Sequence, residues 1–232
     1  MLISKKKIII ITIIIIIFLW TLYFLNKDFF QLDTLFLNIE VIKNFQSENY
    51  VLSIFIYLSL YSILILCNFP MASLLSMISG FLFGTWIGGA IAILGGTIGA
   101  YCIFNIAKFF FLDFIKKNLL NKYTYVKNYF NKNDLELMIL IRVIPAVPFF
   151  AQNLILAGMG ANNKKFLYTT LFGLMPWSFI FASLGNMLEE IYLNNEKIGF
   201  SLIARPEFLI PIAIIVSLII LIIIFKKKFQ TN

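Results

Sequence analysis

Long apolar runs recur along the chain at the length of a bilayer. Residues 8–25 (IIIITIIIIIFLWTLYFL), 50–67 and 208–225 each hold 18 consecutive positions without a charge. A hydrocarbon layer about 30 Å thick calls for about 20 such residues in a helix. The pattern therefore predicts three spanning helices. The first run follows Lys5, Lys6 and Lys7 as a signal peptide would, but it is long, and Leu25, Asn26, Lys27 and Asp28 follow it in place of small residues. An uncleaved anchor is expected.

Two further apolar stretches are interrupted. The first begins at Asn68-Phe69-Pro70 and continues through SMISGFLFGTWIGGAIAILGGTIGA, residues 76–100. Gly80, Gly84 and Gly88 fall four apart, Ala92, Gly96 and Ala100 continue the series, and Gly95 and Gly99 form a second pair. Small residues at every fourth position make a bare helix face that another backbone can approach, and helix packing alone accounts for most of them. The second stretch is LIRVIPAVPFFAQNLILAGMGANNKKF, residues 140–166, in which Pro145 and Pro148 remove backbone donors. Broken backbone is not tolerated against lipid, so such a break is buried in protein or lines a wet cavity.

Pro70 precedes Gly80 by ten residues and Pro148 precedes Gly158 by ten. Ten residues make a half-helix of about 15 Å, which reaches only the bilayer midplane. Paired Gly/Pro-interrupted segments point to a transporter's binding site. Chance spacing is the alternative, because Pro and Gly commonly punctuate helices.

Composition agrees with the pattern: 61% of the 232 residues are hydrophobic and 13% charged, against about 45–50% and about 25% in soluble domains. The net charge of +8 does not suggest nucleic acid, since the lysines gather beside apolar runs. Residues 5–7, Lys108 to Lys132, Lys164 with Lys165, and Lys226 to Lys228 are basic, whereas 26–49 and 187–207 are acid-rich. Positive loops stay in the cytoplasm, so both termini are expected inside and both acid-rich pieces outside. Residues 137–163 must then leave and re-enter the same side, as a re-entrant hairpin. For residues 68–107 two short crossings or a re-entrant half-helix followed by a tilted span remain open. Residues 34–49 and 112–133 are amphipathic and are expected on the bilayer surface.

The chemistry on offer is narrow. There is no histidine, and Cys67 and Cys102 lie in or beside apolar runs, which argues against a zinc site or a disulfide framework. No clustered carboxylates within the membrane and no phosphate loop are present, so an enzyme is the least expected class and no cofactor or metal is expected. Arg142 stands in an uncharged run with no acidic residue in any apolar run to pair with it. An arginine at a span's centre costs about 2.5–3.5 kcal/mol even on a lenient scale. It is kept for an anionic ligand or for capping the carbonyls of a broken helix. Arg142, Gln152, Asn153 and Asn68 are the candidate substrate-binding residues, and Pro70, Gly80, Gly84, Pro145, Pro148 and Gly158 the candidate re-entrant framework.

The strings Phe69-Pro70, Gly80-Phe81-Leu82-Phe83-Gly84, Arg142-Val143-Ile144-Pro145-Ala146-Val147-Pro148-Phe149 and Ala157-Gly158-Met159 resemble the core of the DedA-like family, also called the SNARE-associated or VTT-domain family. The resemblance covers about residues 50–190. It implies two opposed re-entrant hairpins in an integral protein of the bacterial inner membrane, associated with moving phospholipid or polyprenyl-phosphate between leaflets. Family members with proton coupling carry acidic residues near the first re-entrant segment, whereas residues 68–107 here contain no Asp or Glu. The resemblance therefore does not extend to proton-driven transport.

The expectation is an all-α, polytopic transmembrane protein. An anchor and external segment occupy 1–49, a core 50–190 with re-entrant segments at about 68–84 and 137–160, and a terminal helix and basic tail 191–232. The leading function is a scramblase- or flippase-like lipid translocase with the headgroup phosphate at Arg142. A channel or secondary transporter for a small ion or solute, and a non-transporting scaffold, are the alternatives. Expected partners are membrane lipids, anionic phospholipid or polyprenyl-phosphate, with no nucleic acid, and a second copy packed through the glycine-rich faces.

Overall fold

A computed structural model describes residues 39–68, 72–110, 130, 134–143 and 147–194, with isolated helical positions between 206 and 220. The expected anchor at 8–25, most of the C-terminal span, the amphipathic stretch 112–133 apart from Phe130, Pro70 and Pro145 lie outside the described residues. Six helices follow in order among the described residues: α1 Ile39–Glu48, α2 Tyr50–Leu66, α3 Ala72–Phe110, α4 Asp134–Val143, α5 Phe149–Gly158 and α6 Asn163–Asn194. The chain is an all-α, polytopic membrane protein, and α3 and the 163–191 part of α6 are long and apolar enough to cross a bilayer.

The amphipathic α1 meets the uncharged α2 at 120°. Along α2, Ser53, Tyr57, Tyr61 and Ile65 form a buried stripe at helical spacing. The tyrosines carry hydroxyls into this stripe, and buried hydroxyls need partners. Tyr57 donates to the Leu75 carbonyl at 2.6 Å and Tyr61 to that of Ala72 at 3.2 Å, while the rings of Tyr50 and Phe83 lie 6.1 Å apart. Rising numbers on α2 thus meet falling numbers on the start of α3. The two run antiparallel, and the chain reverses between Leu66 and Ala72, where Asn68 takes a left-handed φ of 59°.

A second reversal falls inside α3. Gly84 has φ 77° and ψ 171°, a conformation that only glycine adopts without strain. It divides α3 into a short arm, residues 72–83, and a long arm, residues 85–110. The Ser79 hydroxyl donates across this fold to the Gly88 carbonyl at 3.0 Å. Gly80, Gly84 and Gly88, which read as one face of a continuous helix, therefore lie on two arms with the fold between them.

The long arm is about 39 Å long at 1.5 Å per residue. It packs parallel to α2, with Gly95 against Tyr61 and Gly99 against Ile65. Ile65 is thus level with Gly99, and Phe110 lies a further 16 Å or so along the axis. This corrects the expectation for residues 50–67. They form one arm of a hairpin whose turn lies part way along the long arm, and the other arm is 72–83. Gly84, the last residue of the expected re-entrant segment 68–84, stands at the hairpin's outer end, three residues after Phe81, whose ring centroid lies 5.1 Å from Lys43 Nζ. An apolar run of 18 residues cannot by itself distinguish a span from a hairpin arm; the partner of its buried face decides.

The same plan recurs after Phe130. Helices α4 and α5 form a hairpin, since Arg142 reaches Gln152 and Asn153, and α6 follows it. Contacts from Asp134 to Lys165, Met138 to Thr169 and Val143 to Trp177 run α4 parallel to α6. A hairpin and then a long helix thus occur twice, and a glycine at φ 77° precedes each long helix, Gly84 and Gly160. This corrects the pairing of Gly80 with Gly158 read from spacing. Gly80 is a close-packing glycine, whose Cβ would lie 1.9 Å from the Ala182 carbonyl oxygen, and Gly158 is the last residue of α5. The left-handed stop falls two residues later, where Gly160 and Ala161 donate to the Ala157 and Leu156 carbonyls.

Helix α6 runs antiparallel to the long arm. Phe166 stacks on Phe104 with centroids 4.0 Å apart, and Gly96 and Gly89 receive Leu174 and Phe179. Further on, Gly185 packs on the Met77 carbonyl of the short arm. Gly80, Gly89, Gly95, Gly96 and Gly99 thus pack against the chain's own helices. Lys43 pairs with Glu189 at one end of the bundle, while Lys108, Lys164 and Lys165 gather at the other. The two hairpins enter from opposite ends.

Candidate functional site

Arg142 closes the last turn of α4 and is 3% exposed. Space for it exists because α6 has no side chain at Gly173, where a Cβ would lie 2.5 Å from that of Arg142. Its Nη1 donates to Gln152 Oε1 at 3.0 Å, and its Nη2 donates to Asn153 Oδ1 at 2.7 Å and Thr170 Oγ1 at 3.0 Å. The rings of Phe149 and Phe166 lie 5.1 and 5.0 Å from the guanidinium carbon. Every acceptor is neutral. Nε of Arg142 and Nδ2 of Asn153 are buried without a partner among the described residues, which leaves donors of the cluster unsatisfied there.

The backbone break beside Arg142 is served by other groups. Trp177 Nε1 donates to the Val143 carbonyl at 3.1 Å, and Gln152 Nε2 to the Val147 carbonyl at 2.8 Å. Pro148 stands immediately before α5, with φ −53° and ψ 140°, an extended geometry that ends the break. Gln152 thus bridges the arginine to the broken backbone, accepting from one and donating to the other.

Arg142 and Gln152 line a cavity of about 520 Å³. Around it stand Asn68, Ala72 and Ser73 from the turn of the first hairpin, Val147, Pro148 and Phe149 from the turn of the second, Tyr61 and Ser76, and Trp177 and Ser178 of α6. Gly96 of the long arm also lines it, about 17 Å from the arm's start and about 21 Å from its end at 1.5 Å per residue. The hairpin turns therefore meet about halfway along the long helix. The volume is that of a small-ligand site, for which about 300–1,000 Å³ is usual. Arg142 is the only charged residue among the described residues that line it.

Of the residues singled out in sequence, the fold brings Arg142, Gln152 and Asn153 into direct contact and places Asn68 on the same cavity. Gly80, Gly84 and Gly158 stand away from it and shape the arms. Sequence reasoning missed Thr170, Gly173 and Trp177, all from α6. The signal was a threonine pair, a glycine and a tryptophan beside Pro176 in an apolar run, and only the packing of α4 on α6 gives them meaning.

Two opposed helical hairpins, each followed by a long helix, with a buried arginine where they meet, define a polytopic membrane protein built around an intramembrane polar site. The VTT domain matches residues 69–187, just over half of the chain, and the chain belongs to that family. It is similar to the uncharacterized protein YqeD of Bacillus subtilis (strain 168), 25% identical over 158 residues, 67% of this chain and 69% of the relative. The transmembrane protein 41 homolog of Dictyostelium discoideum is 23% identical over 196 residues, 83% of this chain and 57% of the relative. That of Caenorhabditis elegans is 23% identical over 171 residues, 70% and 66% respectively. The chain thus spans less than two thirds of the length of these last two relatives. No solved structure matches.

Proposed function

We propose that this chain moves a phosphate-bearing lipid, an anionic phospholipid or a polyprenyl-phosphate, between the two leaflets, with Arg142 as the headgroup's anchor. One observation carries the reading: a guanidinium with no carboxylate partner among the described residues lies at the edge of a cavity of about 520 Å³ where two broken hairpins meet at mid-span. A charge at that depth is costly unless it is used, and by default marks a functional site. Phosphate oxygens suit it, because the planar fork of arginine binds two at once.

The neutral acceptors matter to the mechanism. Gln152, Asn153 and Thr170 hold the guanidinium when no anion is bound and take it back when the headgroup leaves. Passage requires binding strong enough to enter and weak enough to release. The tails stay in lipid beside the bundle, and no bond is made or broken, so the activity is transport and not catalysis. The location that suits such a protein is the bacterial inner membrane.

The test is a paired measurement on purified protein, of headgroup-labelled anionic lipid movement in liposomes and of thermal stability. Arg142→Lys keeps the charge without the fork and should retain a fraction of the rate, whereas Arg142→Gln should lose nearly all of it. A stable Arg142→Gln protein that moves anionic lipid at the wild-type rate removes the headgroup role.

A further inference from the structure

The cavity is much larger than the phosphate that Arg142 would hold. At about 30 Å³ per water, its volume of about 520 Å³ corresponds to about 17 waters, so a second chemical group fits beside a phosphate. The lining away from Arg142 says what that group is. Ser178 is 5% exposed, yet its hydroxyl bonds to no other group among the described residues; the side chains of the half-buried Asn68 and the exposed Ser73 also bond to none of them. All three line the cavity. Tyr61 and Ser76 add a hydroxyl pair 3.0 Å apart. Within a lining that is otherwise mostly apolar, hydroxyls and an amide thus reach the space from the first hairpin and from α6, alongside the arginine of the second hairpin.

No carboxylate lines the space among the described residues. An ammonium group entering it would be stripped of water beside a fixed guanidinium, with only the phosphate already engaged by Arg142 to receive it, and a poorly paired buried charge is costly. A hydroxylated, uncharged group has the reverse balance: each of its hydroxyls can donate to and accept from Asn68, Ser73 and Ser178. We infer that the site selects a phosphodiester whose second substituent is an uncharged polyol, with Asn68, Ser73 and Ser178 as the residues that read the polyol, and that it disfavours headgroups bearing an amine. The inference rests on the phosphate reading of Arg142 proposed above.

The experiment compares phosphatidylglycerol with phosphatidylethanolamine, matched in acyl chains, on the full chain. Binding is read as thermal stabilisation in mixed micelles, and movement as transfer of headgroup-labelled lipid in liposomes. A third arm offers soluble glycerol phosphate to sealed vesicles. The expected result is at least tenfold tighter binding and faster movement of phosphatidylglycerol, with the preference shrinking severalfold in Asn68→Ala/Ser73→Ala/Ser178→Ala while the unliganded protein melts as wild type does. Equal binding of the two lipids overturns the inference. So does a preference that the triple variant leaves intact. Selective binding without lipid movement upholds the inference and overturns the translocase reading. Uptake of glycerol phosphate without lipid movement keeps the polyol-phosphate class and assigns the site to a solute.

Discussion

Arg142 shows how a single buried charge is accommodated without a counterion. Two amide oxygens and a hydroxyl accept three of its five N–H groups, and Gly173 gives its stem room. A carboxylate in the same place would bind it more strongly and would compete with any anionic ligand. The positive-φ glycines are a second residue-scale device. Gly84→Ala places a methyl group in ordinary van der Waals contact, with Asn186 Oδ1 3.6 Å away as the nearest atom, so its cost is backbone strain of about 1–3 kcal/mol. Gly160→Ala, with nothing within 4 Å, costs about 1–2 kcal/mol. Both variants should melt lower than wild type in detergent, and a melting point unchanged in both would show that the turns tolerate a side chain. A third case is Asp134, whose carboxyl is held below the usual range chiefly by the hydrogen bond from Lys165. A lowered pKa contributes stability that is present above the unfolded value of about 3.9 and is lost as pH falls through the lower folded value. The pair is partly exposed, which limits it to about 1 kcal/mol or less. The melting difference between wild type and Asp134→Asn should therefore be constant from neutral pH to about pH 5 and vanish in stronger acid; a difference that persists there contradicts the ion-pair origin.

At the scale of elements, backbone contact between small residues sets the geometry. The short arm of α3 docks on α6 through Gly80 against Ala182 and Gly185 against the Met77 carbonyl, and on α2 through two tyrosine hydroxyls. Gly80→Ala must push backbone from backbone, since the nearest atoms at 1.9 and 2.5 Å belong to the main chain. It should cost more than Gly84→Ala and lower the yield of folded protein on extraction. The reverse order would mean that the arm is not seated as described. The series of small residues at every fourth position was legible in sequence as packing, but its division into two arms was not. A periodic pattern contains no sign of the one glycine whose φ is positive.

For the whole molecule, the arrangement is two hairpins entering from opposite ends, each continued by a long helix. Charge distribution assigns the Lys-rich end, with Lys108, Lys164 and Lys165, to the cytoplasm and the end with Glu48 and Glu189 to the outside. With Cys67 and Cys102 replaced, Glu48→Cys should react with an impermeant thiol reagent in intact cells and Lys164→Cys only after permeabilisation. Labelling in the opposite sense would invert the topology while leaving the fold untouched.

The sequence alone determined that the chain is a helical membrane protein, and its charge distribution predicts which end faces the cytoplasm. Uncharged length and the placement of lysines are local quantities, summed along the chain without knowing what touches what. It also determined that Arg142 needs an explanation, because a lone charge in an apolar run is costly wherever the run packs. Only the tertiary structure decided that residues 50–67 are a hairpin arm, that Gly84 pairs with Gly160, and that Thr170, Gly173 and Trp177 complete the arginine's surroundings. Those facts depend on contacts between segments up to about a hundred residues apart, as where Gly80 meets Ala182. The packing of buried faces supplies such contacts, and no local pattern along the chain encodes them.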